Sequence, residues 1–210
     1  MNIYKGLARI ALKLHNFFYG VSSFLAIKAE HGLHPKHRLI GYHAFFVNNV
    51  RPEDVVLDIG CGNGALTADV AKKAKRVVGI DFSEANIATA KRKYSAQNTE
   101  YICQDAVKNL PAGTFDVIIL SNVLEHIEDR AAFLRGLKNR ASKFLIRVPM
   151  VNRDWITLYK KELGVEYRLD TTHFIEYTME SFQDELEKAG FAVYNHTIQF
   201  GEIWAIIQQK

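Results

Sequence analysis

The sequence has few cysteines, which cross-link secreted domains, and few prolines. Only two cysteines and four prolines occur among 210 residues. Cys61 and Cys103 do not form a spaced pair, so the sequence predicts neither a disulfide framework nor a Cys/His metal site. We therefore expect free thiols, no bound metal and a location in the reducing cytoplasm.

Long uncharged segments are also missing. The longest runs from Leu14 to Ile27, which is shorter than the roughly 20 residues that a transmembrane helix needs. Charged residues precede it, which argues against a signal peptide. The hydrophobic content of 48% and charged content of 24% are typical of a globular chain. We expect one domain without a membrane span.

The charge is distributed unevenly along the chain. Residues 1–50 carry six Lys or Arg and one acid, whereas residues 51–210 carry 21 basic and 22 acidic residues. Residues 1–50 are therefore predicted to form a basic arm, separate from a domain at 51–210. Apolar residues at spacings of three and four predict that the arm is helical, namely Leu7, Ile10, Ala11, Leu14, Phe17, Phe18, Val21 and Leu25.

Two interpretations of this arm stay open. A packed helix would cover the substrate pocket or contact a second subunit in a homodimer. An interfacial helix would rest on anionic lipid through residues 1–27 at the inner face of the membrane. A nucleic-acid partner is not expected, because an evenly spaced basic stripe is usually a solvated face.

A glycine-rich loop follows the first predicted strand. The segment Val55–Ile59 is apolar apart from Asp58, and Gly60, Gly62 and Gly64 come directly after it. Glycines at these positions let the chain turn tightly and let a ligand lie against the main chain. A carboxylate beside the loop repels a pyrophosphate, and it attracts a ligand that has an amino group and a positive centre.

An acidic or amide side chain follows each of the next predicted strands. A second strand, 76–80, leads to Asp81, and a third, 101–103, leads to Asp105. In nucleotide-binding α/β folds, an acid at the end of the second strand accepts the ribose hydroxyls. A fourth strand, 115–120, runs into Ser121 and Asn122.

Four motifs in order resemble the class I S-adenosylmethionine-dependent methyltransferases, in their small-molecule (type 11/12-like) branch. They are LDIGCGNG at 57–64, GID at 79–81, CQDA at 103–106 and FDVIILSNVLEHIED at 115–129. The resemblance covers about residues 50–210. It implies a Rossmann-like α/β fold with a seven-stranded, mostly parallel sheet and helices on both faces.

The resemblance also implies S-adenosylmethionine as cofactor and S-adenosylhomocysteine as product. Asp58 would lie near the methionine amino group, Asp81 would bind the ribose and Asp105 the adenine amino group. The full set of implied cofactor positions is Asp58, Gly60, Cys61, Gly62, Asn63, Gly64, Asp81, Phe82, Asp105, Ala106, Ser121 and Asn122. The acceptor would be a small molecule, lipid or glycan precursor, methylated at oxygen.

A hydroxyl acceptor needs a base, and His126 and His173 are the candidates. His126 follows the fourth strand. His173 lies in 150–177, a polar and aromatic stretch interpreted as a substrate-facing insertion. Charged and aromatic residues before the first strand and in the insertion are further candidates to bind the acceptor, namely Lys36, His37, Arg38, His43, Arg153 and Trp155.

Two rival functions remain. A nicotinamide-dependent oxidoreductase would have G-x-G-x-x-G, whereas this loop places Ala65 after its third glycine and has Asp58 before it. A methyltransferase-like binding module without turnover would keep the same acids and glycines. Base methylation is disfavoured, because strand four continues as Ser121-Asn122-Val123-Leu124 and not as an Asn/Asp-Pro-Pro-aromatic segment.

Overall fold

A computed structural model describes residues 3–31 and 34–210, and residues 1–2 and 32–33 of the predicted arm lie outside these ranges. Seven strands form one sheet in the order β3-β2-β1-β4-β5-β7-β6. The strands are β1 (Val55–Ile59), β2 (Arg76–Asp81), β3 (Thr99–Cys103), β4 (Phe115–Ser121), β5 (Ala141–Pro149), β6 (Phe191–Gln199) and β7 (Glu202–Gln209). Strands β1–β5 pair in parallel and β7 is antiparallel to both neighbours, which confirms the predicted fold class.

Eight helices accompany the sheet in the described ranges. They are α1 (Ile3–Ala29), α2 (Lys36–Ile40), α3 (His43–Asn48), α4 (Ala65–Ala71), α5 (Glu84–Tyr94), α6 (Arg130–Leu137), α7 (Trp155–Glu162) and α8 (Met179–Ala189). Helix α8 begins with a capping box between Thr178 and Ser181 and ends at Gly190 in a left-handed conformation. Both capping signals are local in the sequence.

The core lies on both faces of the sheet. Along β1, Leu57 and Ile59 face the cluster that α6 and α8 cover, whereas Val56 faces the cluster that α3 and α4 cover. Alternate residues of a strand point to opposite faces, so a strand covered on both sides is apolar throughout. Strand order reverses between β1 and β4, which places a ligand crevice at the carboxyl ends of these strands.

Helix α1 packs against α7 and the turn after it. Leu12 is buried with Leu163 and Val165. The side chain of Arg9 donates a hydrogen bond to the Leu163 carbonyl (3.0 Å), and Asn16 donates to the Glu166 carbonyl (2.7 Å). The side of the helix away from these contacts exposes large apolar side chains, namely Ile3, Leu7, Ile10, Leu14, Phe17, Phe18, Val21, Phe24 and Leu25.

The length of α1 differs from the sequence-based expectation. The helix has 27 residues and is long and apolar enough to cross a membrane, by length and composition alone. Core helices of soluble proteins and signal sequences satisfy the same criteria. The expectation of no span considered only the uncharged run after Lys13, whereas the helix continues through Lys13, Arg9 and Lys5 and extends about 40 Å.

Candidate functional site

A cavity of about 850 Å³ opens at the carboxyl ends of the parallel strands. Its volume lies within the range typical of small-molecule sites. It brings together residues from the four motifs and from the 150–177 insertion, namely Gly60, Asp81, Phe82, Asp105, Ala106, Asn122, His126 and His173. The sequence had placed these residues in one site, and the fold gathers them around one cavity.

The three loop glycines serve different purposes. A Cβ on Gly62, whose φ is +55°, would meet no atom within 4 Å, so the space above this residue is open to a ligand. A Cβ on Gly64 would lie 2.7 Å from the Ala90 Cβ, because α4 and α5 pack closely there. A Cβ on Gly60 would lie 2.7 Å from Val123. Gly62 thus leaves open space above the loop, and the other two allow packing.

Asp81 is held in place by the loop and by α5. Its Oδ2 accepts a hydrogen bond from the Gly62 amide (2.9 Å), and its Oδ1 accepts from the Ser83 amide (2.9 Å) and the Asn86 side chain (3.2 Å). These donors orient the carboxylate at the cavity wall before any ligand arrives. The arrangement fits the ribose-binding role implied by the sequence motif.

Asp58 and Asp105 differ in their surroundings. Asp58 is buried and does not line the cavity; Thr67 Oγ1 donates to its Oδ2 (2.6 Å), and burial raises the pKa of this carboxyl to about 7. Asp105 lines the cavity, and its ion pair with Lys108 (2.9 Å) holds its pKa below the ordinary value. A buried carboxyl such as Asp58 becomes ionised more readily beside a cationic ligand, which fits a group with an amino function.

The end of β4 carries a buried acid that the sequence analysis did not single out. Asn122 has a left-handed conformation (φ 57°), and its side chain donates to Glu125 Oε1 (2.6 Å). Glu125 is fully buried, and burial raises its pKa to about 7. Within the described part of the chain, Glu125 Oε2 has no hydrogen-bond partner. The signal for this residue was its position in the LEH segment, between the candidate residues Asn122 and His126.

His126 and His173 lie next to each other. Their ring centroids are 4.6 Å apart at an interplanar angle of 78°. The Phe174 amide donates to the Glu125 carbonyl (2.7 Å), which ties the insertion to the turn after β4. Burial and the nearby His173 lower the pKa of His126, which favours its neutral form. The two candidate bases thus belong to one site.

The hydrogen bonds assign the same tautomer to both rings. Thr172 Oγ1 donates its proton to Asp170 (2.8 Å), so it accepts from His126 Nδ1 (2.9 Å). His173 Nδ1 faces the carboxylate of Glu176 (3.2 Å), which can only accept. Each Nδ1 therefore carries the proton, and each Nε2 has a free lone pair.

None of the six predicted acceptor-binding residues lines the cavity. Three of them pair with acidic side chains instead: His43 with Asp69 (2.6 Å), Arg38 with Glu30 (3.0 Å) and Arg153 with Glu176. Trp155 is exposed on α7, and His37 contacts Tyr42 (2.8 Å). The pKa of Lys36 is lowered, first by burial and then by nearby Arg147.

A buried ion pair below α2 and α3 was missed by sequence reasoning. Arg147 on β5 donates to both carboxylate oxygens of Glu202 on β7 (2.6 and 2.7 Å). The Tyr42 ring lies 3.9 Å from the guanidinium carbon, and Arg147 also donates to Ser121 Oγ (3.4 Å). The pair attaches the helices of the arm to the sheet beside the end of β4.

Comparison with known proteins supports the motif assignment. Residues 57–141 match a family model described as a methyltransferase domain. The ubiquinone biosynthesis O-methyltransferase of Bradyrhizobium diazoefficiens is 32% identical over 117 residues, which cover 54% of this chain and 46% of that protein. The chain therefore spans about half the length of the curated relatives it matches.

Solved structures show the same fold at lower identity. The DhpI–S-adenosylhomocysteine complex has a TM-score of 0.67 and 18% identity and covers 90% of this chain and 94% of its own. Magnesium protoporphyrin IX methyltransferase from Synechocystis PCC 6803 has a TM-score of 0.65 and 21% identity, with 83% of both chains covered. The match of residues 57–141 to a methyltransferase domain, and the placement of residues from all four motifs around one cavity, support the resemblance to the class I S-adenosylmethionine-dependent methyltransferase family.

Proposed function

We propose that this protein transfers a methyl group from S-adenosylmethionine to an oxygen of a small-molecule, lipid or glycan-precursor acceptor. The observation that carries the proposal is the single cavity that joins Gly60 of the glycine loop and Asp81 to the His126–His173 pair. Such a cavity holds a nucleoside-type ligand at one end and a hydroxyl at the other.

The chain's own residues bind and align the reactants. When bound, the cofactor supplies an activated methyl group together with its own leaving group. The open space above Gly62 receives the amino-acid part, the Asp81 carboxylate accepts the ribose hydroxyls, and Asp105 lies at the adenine end. The Nε2 lone pairs of the two histidines hold the acceptor hydroxyl in line, and one of them takes its proton as the oxygen is methylated.

The cavity favours an acceptor with an apolar or aromatic part. Phe82 and Phe174 line it and remain 81% and 58% exposed, so each presents a ring to whatever binds. Relatives named as ubiquinone biosynthesis O-methyltransferases, 32% identical over the matched segment, support oxygen as the acceptor atom. The alternatives are a nicotinamide-dependent oxidoreductase and a binding module without turnover.

Calorimetry of cofactor binding tests the proposal. We expect S-adenosylhomocysteine to bind in the micromolar range and NAD not to bind. Asp81→Ala should weaken binding by about 1–3 kcal/mol, because the ribose hydroxyls lose their acceptor and the Gly62 amide loses its partner. Asp184→Ala, an exposed acid on α8, serves as the matched control and should bind like the wild type. Unchanged affinity in Asp81→Ala would place the ribose elsewhere.

For the arm, we propose peripheral contact with an anionic membrane through residues 1–27. The part of this segment that the structure describes exposes the apolar face of α1 on the side opposite its contacts with α7. Lys5 and Lys13 are exposed on the same helix, and cationic side chains are attracted to anionic headgroups. This arrangement agrees with a cytoplasmic protein held at the inner membrane face, whereas a homodimer through the same face is the alternative.

Vesicle sedimentation tests the membrane proposal. The wild type should sediment with anionic vesicles at low salt and less at high salt, because salt screens the attraction. Leu14→Glu/Phe17→Glu should abolish sedimentation, and Tyr194→Glu/Ile198→Glu, which alters exposed apolar residues of β6, should not. The homodimer would be favoured by a different outcome. The wild-type protein would then stay in the supernatant and elute as a dimer, and Leu14→Glu/Phe17→Glu would convert the dimer to a monomer.

A further inference from the structure

We propose that Glu125, His126 and His173 bind one divalent transition-metal cation at the acceptor end of the cavity. Only the role of the cation in catalysis rests on the proposed methyltransferase function; its binding does not. The expectation of no metal came from Cys/His spacing along the chain, and the fold creates this site from segments far apart in sequence.

The three residues offer ligand atoms at close range. One ligand atom from each lies within 4.8 Å of the corresponding atoms of the other two. Metal–ligand bonds of about 2.0–2.2 Å place two ligands at most about 4.4 Å apart. Small side-chain rotations therefore close the site around a cation.

The buried carboxylate supplies the second observation. Glu125 is fully buried, and its Oε2 lacks a hydrogen-bond partner in the described chain, while its Oε1 accepts from Asn122 (2.6 Å). An unpartnered buried carboxylate oxygen is costly, and such groups in folded proteins pair with a donor or a metal. A cation between Glu125 and the two rings satisfies this oxygen.

The histidines are oriented as metal ligands are. His126 Nδ1 donates to Thr172, which is itself bonded to Asp170, and His173 Nδ1 donates to Glu176. A ligating histidine usually donates its second ring N–H to an oxygen in this way, which fixes the tautomer and raises the basicity of the ligating nitrogen. Both Nε2 lone pairs are thus available to a cation.

The ligand set indicates which cations fit. Two imidazoles and one carboxylate suit Zn²⁺, Fe²⁺ or Co²⁺, whereas Mg²⁺ and Ca²⁺ prefer oxygen ligands. Three protein ligands leave at least one position open. His126 and His173 line the cavity, so we place the open position on the cavity side.

The open position gives the cation a role in the proposed reaction. An acceptor hydroxyl that binds there releases its proton to solvent more readily, because the cation stabilises the oxyanion. With the cation bound, the histidine Nε2 atoms hold the cation instead of contacting the acceptor hydroxyl, so they do not themselves take the proton. The cation would thus replace the histidine base that the sequence predicted.

Direct metal binding tests the site without any activity measurement. After treatment with EDTA and desalting, the full-length protein is titrated with Co²⁺ and Zn²⁺, by visible absorption and by calorimetry. We expect one equivalent to bind, with Co²⁺ d–d bands typical of nitrogen and oxygen ligands. Glu125→Gln and His173→Gln should each weaken binding by about 100-fold or more. His196→Gln, on the exposed part of β6, is the control and should bind like the wild type.

Two further measurements separate the cation site from the proposed function. Circular dichroism and S-adenosylhomocysteine binding should stay near wild type in both variants, which shows that the fold and the cofactor site persist. A wild-type protein that binds no Co²⁺ at up to millimolar concentration, or variants that bind it as the wild type does, would overturn the site. Cation binding by a protein that fails to bind S-adenosylhomocysteine would instead overturn the methyltransferase proposal and leave the site standing.

Discussion

His126→Ala is expected to lower the rate of methyl transfer by about 10²–10⁴-fold, with little change in the affinity for S-adenosylhomocysteine. The side chain lies at the cavity beside His173, and Thr172 fixes its tautomer. We expect its Nε2 to contact the acceptor oxygen directly or through the proposed cation, and either role would be lost with the ring. Formation of S-adenosylhomocysteine, measured against a panel of phenols, sugars and lipid precursors, identifies the acceptor and gives the rate.

The His126 prediction has a matched control and a clear alternative outcome. His196→Ala removes an exposed histidine from β6, outside the cavity, and should leave the rate unchanged. A large loss in His173→Ala with nearly normal turnover in His126→Ala would assign the main role to the insertion. Normal turnover in both variants would show that the acceptor is aligned by other residues and that the histidine pair is structural.

Gly62→Val should weaken S-adenosylhomocysteine binding by at least about 100-fold while the domain stays folded. A side chain at this position meets no protein atom within 4 Å and fills the space that the ligand would occupy. The positive φ adds a cost of about 1–2 kcal/mol for an L-residue, so the melting temperature falls moderately. Calorimetry measures the affinity and thermal unfolding measures the stability.

A second glycine separates backbone strain from ligand obstruction. Gly164 has a φ of +65° and equally open surroundings, but it lies in the turn after α7 and not in the glycine loop, so Gly164→Val should lose stability without losing affinity. Gly64→Ala should destabilise the fold more strongly, because its Cβ would lie 2.7 Å from Ala90. Wild-type affinity in Gly62→Val would mean that the ligand does not pass over the loop.

The sheet and the cofactor end of the cavity could be predicted from the sequence alone. Parallel strands that are covered on both faces read as continuous apolar runs, and their carboxyl ends meet at one edge of the sheet. Asp81, Asp105 and Asn122 could therefore be placed together from the strand ends alone. Helix α8 has local capping signals at both ends, and the reversed strand β7 pairs with β6 after a short turn.

The side chains at the acceptor end of the cavity are brought together by tertiary contacts that could not be predicted from the sequence. Thr172 and His126 are 46 residues apart, and the insertion between β5 and α8 has no periodic pattern that would predict which side chains it directs inward. The Phe174–Glu125 backbone hydrogen bond brings His173 beside His126 and leaves Glu125 buried among them. The candidate acceptor residues of the arm lie outside the cavity for the same reason. Sequence periodicity predicts on which face of its own helix or strand a residue lies. Contacts between loops that are distant in sequence depend on how the helices and strands pack.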